Sequence, residues 1–337
     1  MIDDGKAHKV RPPIAFADAD GLLQAAEVLR AGGIVAMPTE TVYGLCARAD
    51  DPAAVARIFA AKGRPSTNPL IVHVANRTAA AALAHFDMRA DALAERFWPG
   101  PLTLVLSRKA DSHLAEAVSA GLATVALRCP SHPVMQALLD SVDFPLAAPS
   151  ANRSGAVSPT AAQHVLASLG STVDMIVDGG HTADGLESTI VILRDTGWQL
   201  LRPGPVLAED ITALAGPQIE APFHMVEAPG QHASHYAPGK PVRLNARKPA
   251  SHEFFIGFGS TDGDVNLSAA ADLREAAANL YACLHLAAAS PCPAVAVAMV
   301  PSHGFGIAIN DRLSRAAMPP ESQCPDHAES MENHYKP

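Results

Sequence analysis

The 337-residue chain has little of the material from which cystine scaffolds, zinc modules or nucleic-acid surfaces are built. Its five cysteines, Cys46, Cys129, Cys283, Cys292 and Cys324, are odd in number, widely spaced and without a CxxC pair. Neither a disulfide framework nor a zinc cage is indicated, and a reducing compartment fits. Aromatic residues make up only 5%, with two tryptophans and four tyrosines for base stacking. Basic charge is also short: 25 Lys and Arg against 34 Asp and Glu leave a net −9. That argues against a broad phosphate-tracking face, so any polyanion site has to be local. No stretch approaches the roughly 18 apolar residues of a membrane-spanning helix, and the opening MIDDGKAHKVRPP has no apolar signal core. A cytoplasmic protein with no membrane partner is expected. The chain also lacks GxxxxGK[ST], GxGxxG after a strand, GxSxG and HExxH.

What is present is a packed core and an α/β alternation. With 48% hydrophobic residues and a length beyond one usual core, two domains are expected. From Ala19, GLLQAAEVLRAGG has helical apolar spacing and ends at Gly32 and Gly33. IVAMPT then reads as a strand, Pro52 to Ala61 as a helix started by Asp51 and Pro52, and LIVHVA as a strand. Helices are expected at Thr78 to His85, Arg89 to Phe97, His132 to Asp140 and Thr160 to Leu169, with strands LTLVL, TVALR, PLAAPS, MIVDG and STIVIL. The adjacent runs STIVIL and WQLLRPG suggest an antiparallel pair and hence a mixed sheet. After Arg202 the texture turns rich in Pro, His and Gly. HEFFIGFG, an Ala-rich helix from Ala270 to Ala289, AVAVAMV and a helix from Gly306 to Ala317 then form a second α/β unit. The boundaries read 15–206, a linker at 207–241, 242–317, and a disordered tail at 318–337.

Two segments stand out: Pro38 to Leu45 (PTETVYGL), a strand end opening into a hydroxyl-rich turn, and Lys62 to Asn68 (KGRPSTN). Read as extended chain, the second projects Lys62 and Arg64 to one side, and an ammonium beside a planar guanidinium suits a triphosphate. On spacing alone a solvated basic turn fits equally well. Other small polar residues collect at strand ends, where ligands of open α/β sheets bind. Thr39 and Thr41 follow IVAM, His73 interrupts LIVHV, Thr124 and Arg128 bracket TVALR, and Ser150, Asn152, Ser154 and Ser158 follow PLAA. Each alone also reads as a core histidine, a snorkelling arginine or an ordinary turn. No nucleophile is evidently paired with a base. HASH at His232 to His235 lies in a Pro-bounded linker and is not read as a metal site.

Taken in order, PTETVYGL, KGRPSTNPLIVHV, WPGPLTLVL, TVALRCPSHP, PLAAPSANRSGAVSPT, DGG, ESTIV and LLRPG resemble the YrdC-like domain over about 190 residues. With HYAPGKP and the C-terminal unit, the chain resembles the long, two-domain form of the L-threonylcarbamoyladenylate synthase family. The resemblance implies a twisted mixed open sheet with flanking helices, followed by a smaller Rossmann-like α/β domain. It implies a reaction in which L-threonine, bicarbonate or CO2, and ATP with Mg2+ give threonylcarbamoyl-AMP and pyrophosphate. The product would pass to a downstream threonylcarbamoyl transferase system acting on tRNA, with at most weak tRNA contact by this chain. Carried over residue by residue, the family's signature falls on Lys62, Arg64, Ser150 and Asn152. Threonine contacts fall on Thr41, His73, Arg128, Ala148 and Ser188. ATP contacts fall on Lys62, Arg64, Asn68, Thr124, Ser150, Ser158, Arg202 and Tyr236, the last on a linker over the active site. No direct protein ligand to a metal is implied. The alternative from another class is an RNA-binding module acting in tRNA or rRNA maturation, against which the acidic charge and scarce aromatics count.

Overall fold

The computed structural model describes residues 11–220, 227–229 and 235–319. In chain order the first body comprises β1 (Ile14–Phe16), α1 (Ala19–Arg30), β2 (Val35–Met37), β3 (Gly44–Arg48), α2 (Pro52–Lys62), β4 (Ile71–His73), α3 (Arg77–Ala81), α4 (Met88–Phe97), β5 (Leu102–Ser107), α5 (Glu116–Ser119), β6 (Thr124–Arg128), α6 (Pro133–Ser141), β7 (Leu146–Ala147), α7 (Ala162–Leu169), β8 (Met175–Asp178), β9 (Thr189–Arg194), β10 (Gly197–Arg202) and α8 (Ala208–Ala215). The second comprises β11 (Val242–Arg243), β12 (Glu253–Gly257), β13 (Val265–Asn266), α9 (Leu273–Ala289), β14 (Ala294–Val297) and α10 (Phe305–Ala317).

The first body is built on a ten-stranded mixed sheet in the order β1-β8-β2-β3-β7-β4-β6-β5-β9-β10, and the second on a four-stranded sheet, β11-β14-β12-β13, whose pairs are all parallel. The α/β class and the antiparallel β9–β10 pair agree with the sequence pattern. β3 does not: GLCAR was not read as a strand, yet it turns back antiparallel on β2, pairing Met37 with Gly44. The reversal is made by the PTETVY turn, where Thr39 Oγ1 donates to Val42 O at 2.6 Å and accepts from Val42 N at 3.2 Å. A run of consecutive buried residues carries no period that separates strand from turn. The helix expected at Thr78 to His85 is confined to Arg77–Ala81, and PLAAPS pairs as a strand only at Leu146 and Ala147.

α2 places the basic segment. Asp51 caps it, accepting from Ala53 N at 2.8 Å and Ala54 N at 3.2 Å, an arrangement worth about 1 kcal/mol. It ends at Gly63 with φ +60°, the left-handed conformation that a side chain would resist. The expectation of an extended Lys62–Arg64 pair is thereby corrected: Lys62 is the last helical residue and Arg64 follows the left-handed cap. Helix C-cap geometry, not strand periodicity, turns both cations inward, and both are buried.

The segment between the bodies is not uniform. Ala208–Ala215 is helical, and Gln218 bridges to Trp198 of β10. Ala228 joins the buried apolar cluster that Ile71, Val105, Ala126, Ile190, Ile192 and Leu201 form on the sheet. His232 and the tail at 320–337, with Cys324, lie outside the described residues.

Candidate active site

The parallel pairing of β4 with β6 puts His73 directly beside Arg128 at the ends of two neighbouring strands. Arg128 is almost fully buried and donates three ways: Nε to Gly100 O at 3.3 Å, one terminal nitrogen to Thr41 Oγ1 at 2.9 Å, the other to Glu40 Oε1 at 2.6 Å. Burial raises the pKa of Glu40, but the charge and hydrogen bond of Arg128 and nearby backbone N–H groups more than offset it, so the carboxyl is held below its ordinary value. Of five guanidinium N–H donors, these three contacts leave two for a ligand. Burial, reinforced by Arg128, holds His73 well below its ordinary pKa. The ring is therefore neutral near pH 7, and its buried Nδ1 has no protein partner.

A second set of cations is held differently. Lys62 Nζ donates to Ser150 O and Asn152 O, both at 2.5 Å, tying α2 to the loop that follows β7. Arg64 donates to Asn68 O at 3.1 Å, Asn68 Oδ1 at 2.6 Å and Pro69 O at 2.7 Å. Arg202, at the end of β10, grips Ser188: Nε and a terminal nitrogen reach Ser188 O at 3.0 and 2.9 Å, and the same nitrogen reaches Ser188 Oγ at 3.0 Å. Ser188 Oγ also meets Thr103 Oγ1 at 2.7 Å. Among the described residues none of these three cations forms an ion pair. Burial lowers the pKa of all three, with repulsion from Arg64 adding to the fall of Lys62 well below its ordinary value, from Arg202 to that of Arg64, at about 10, and from Arg312 to that of Arg202, while Glu187 partly offsets the fall at Lys62 and Arg202. The chain concentrates positive charge without directly paired carboxylates where water is scarce, the condition under which fixed cations act most strongly on an anion.

These groups face one cavity of about 540 Å³, its solvent mouth included, walled by Thr41, Arg64, His73, Arg128, Ala148, Ser150, Ser188, Arg202 and Tyr236 among others. The remaining expected residues are not on that wall. Asn68 orients Arg64, Lys62 with Asn152 locks the loop, and Ser158 Oγ donates to Glu187 Oε1 at 2.5 Å. Thr124 lies at the opposite end of β6 from Arg128, four residues along on the same face. Tyr236 is fully buried with φ +64°, a left-handed conformation costing a non-glycine residue about 1–3 kcal/mol. Ala237 N, bonded to Gly155 O at 2.8 Å, staples the chain directly after it. Among the described residues no group of three His, Cys, Asp or Glu side chains could hold a metal ion.

Two carboxylates escaped the reading of residues. Glu40 is inside PTETVYGL, and Glu187, also on the wall, directly precedes Ser188. The available signal was an acidic residue set among hydroxyl and apolar neighbours, which a chain buries only beside a cation. Burial alone would raise the pKa of Glu187, but Arg312 and Arg202 with hydrogen bonds from Ser158 and Tyr281 hold it at about 2.

Residues 27–204 match a family model described as "Telomere recombination", and residues 206–318 match one described as "Threonylcarbamoyl-AMP synthase, C-terminal domain". A threonylcarbamoyl-AMP synthase of Bacillus subtilis is 40% identical over 325 residues, covering 88% of this chain and 92% of the relative. That of Pyrococcus abyssi is 38% identical over 320 residues, 87% of this chain and 93% of the relative. The crystal structure of P. abyssi Sua5 complexed with L-threonine superposes with a TM-score of 0.82 at 35% identity, covering 90% of this chain and 97% of that one. Both domain models in sequence order, and relatives matched along nearly their whole length, place this chain in the threonylcarbamoyl-AMP synthase family, in its two-domain form.

Proposed function

We propose that the chain catalyses ATP-dependent synthesis of threonylcarbamoyl-AMP from L-threonine and bicarbonate or CO2, releasing pyrophosphate. The observation that carries this reading is the coexistence in one cavity of a charge-balanced arginine beside a neutral histidine and of arginines that have no directly paired carboxylate. The two spare N–H groups of Arg128 fit the threonine carboxylate. His73 Nδ1, Thr41 and Ser188 offer partners to the threonine hydroxyl and amine, and Ala148 contributes main chain. Arg64, Arg202, Lys62 and the Ser150–Asn152 loop suit the triphosphate, with Ser158, Asn68 and Thr124 in support and Tyr236 closing over it. Magnesium would enter with the phosphates of the nucleotide. When bound, it adds neutralising charge to the phosphates.

The chemistry asks little of a protein base. The threonine amine adds to CO2 and loses a proton, giving a carbamate that is already an anionic nucleophile. A carbamate oxygen forms a bond to the α-phosphorus as the bond to pyrophosphate breaks. The obstacle is bringing two anions together and stabilising the leaving pyrophosphate, for which positioning and fixed cations suffice. The labile acyl-adenylate then goes to a separate transferase that carries the threonylcarbamoyl group to tRNA. Pyrophosphate release from ATP with magnesium and bicarbonate should depend on L-threonine and fall sharply with L-serine, L-valine or no amino acid. Release without threonine, or none at all, overturns the reading.

A further inference from the structure

Side chains of the second body that hydrogen-bond to the first include Tyr281 and His285 of α9 and Arg312 of α10. Tyr281 OH donates to Glu187 Oε2 at 2.7 Å, and Arg312 Nε donates to the same oxygen at 2.9 Å. His285 Nε2 lies 3.0 Å from Ser158 O, the residue whose hydroxyl donates to the other carboxylate oxygen. Arg312 also donates to Pro203 O at 2.9 Å and Asp311 Oδ2 at 2.7 Å, and its guanidinium stands 5.3 Å from the centre of the Tyr236 ring. Arg312 is fully buried yet is not part of the cavity wall.

That placement is costly unless it has a purpose. α10 buries the stripe Ile309, Leu313 and Ala316, and Arg312 occupies a position on it that an apolar side chain would fill without desolvating a charge. Glu187 poses the complementary problem. A carboxylate on the wall repels phosphates and competes for Arg202, Arg64 and Lys62, all of which feel its field or share its wall. In the structure it captures none of them: Arg202 gives its bonds to Ser188 and Arg64 to the Asn68–Pro69 backbone.

We propose that Arg312 is a positioning residue for the nucleotide site: by neutralising Glu187 from behind the wall, the second body keeps that carboxylate from pairing with Lys62, Arg64 or Arg202, whose charge then acts on the phosphates of ATP. The C-terminal body thus sets the charge of a cavity whose wall, among the described residues, it does not line. Asp311, shared between Arg312 and Arg315, closes the network on the far side. The proposal rests on the ATP-dependent reading above.

Calorimetric binding of ATP and AMP to the full chain, with KM and kcat for threonine-dependent pyrophosphate release, tests it in four proteins: wild type, Arg312→Met, Arg312→Lys, and Arg312→Met combined with Glu187→Gln. Arg312→Met should weaken ATP about tenfold or more, raising its KM more than it lowers kcat, and should weaken AMP less because fewer phosphates feel the lost balance. Arg312→Lys keeps the charge and should stay within about threefold of wild type. The double variant should recover most of the lost ATP affinity, since the carboxylate needing neutralisation is gone. A folded Arg312→Met with wild-type ATP binding overturns the proposal, as does a folded double variant no better than the single. Should Arg312→Met not fold, the double variant decides. Near-wild-type ATP affinity supports the role, and a tenfold loss makes Arg312 a pin between bodies only. A wild type that binds ATP but releases no pyrophosphate with threonine overturns the proposed reaction and leaves this inference to the calorimetry; a wild type that binds no ATP overturns both.

Discussion

The cavity holds its arginines in two opposite ways. Arg128 carries its own counterion in Glu40, whereas Arg64 and Arg202 are fastened only by carbonyl and hydroxyl oxygens. A paired arginine presents geometry without net charge, which suits recognition of an amino acid that is itself a zwitterion. An unpaired one presents charge, which a polyphosphate requires and which water would otherwise supply. The difference also assigns a purpose to burial: the same low dielectric that makes the unpaired cations costly makes them effective.

The sharpest way to break this contrast is at the unpaired pole. Arg64→Ala should lower kcat/KM for adenylate formation by about 10²- to 10³-fold, or about 2–4 kcal/mol. Near-normal activity in that variant would remove Arg64 from the assignment. At the paired pole, Arg128→Ala should raise the KM for threonine by about 10- to 100-fold, while ATP affinity measured by calorimetry stays close to wild type. Equal losses for the two ligands would erase the distinction between the poles.

Stability gives a third handle. Arg128→Ala leaves Glu40 buried and unpaired, and breaking such a pair costs about 3–5 kcal/mol. Adding Glu40→Gln should recover much of the lost Tm without recovering threonine affinity. Recovery of both would mean that Arg128 serves the fold alone.

The smallest effect expected is with pH. His73 is held well below its ordinary value of 6.5, so the folded state favours its neutral form. Its contribution to stability is fully present above pH 6.5 and is lost as pH falls from there through the depressed folded value. The KM for threonine should accordingly be flat between about pH 8 and pH 6.5, and Tm should begin to decline only below that. A threonine KM that titrates near pH 6.5 in wild type and not in His73→Asn would contradict a permanently neutral ring.

Much of the architecture was legible in residues. The cap at Asp51 and the apolar strand LIVHV follow local rules that need no partner. The β3 hairpin was not legible, because GLCAR and PTETVY are equally buried and burial erases the alternation from which a strand is read. The site divides along the same line. Lys62, Arg64, His73, Arg128, Ser150 and Asn152 could be named from motifs, although the extended geometry first given to Lys62 and Arg64 was wrong. That Asn68 serves Arg64, and that Ser158 serves Glu187, could not be seen before the chain closed on itself.

What the sequence by itself determined is the class of fold, the succession of helices and strands, and the kinds of side chain available to an anionic substrate, since these rest on local propensity and spacing. Which cations are balanced and which are left free was decided only by the tertiary structure. Glu40 meets Arg128 across 88 residues of chain and Glu187 meets Arg312 across 125. Ion pairing at such separations depends on where the sheets bring the chain together, and no local pattern encodes it.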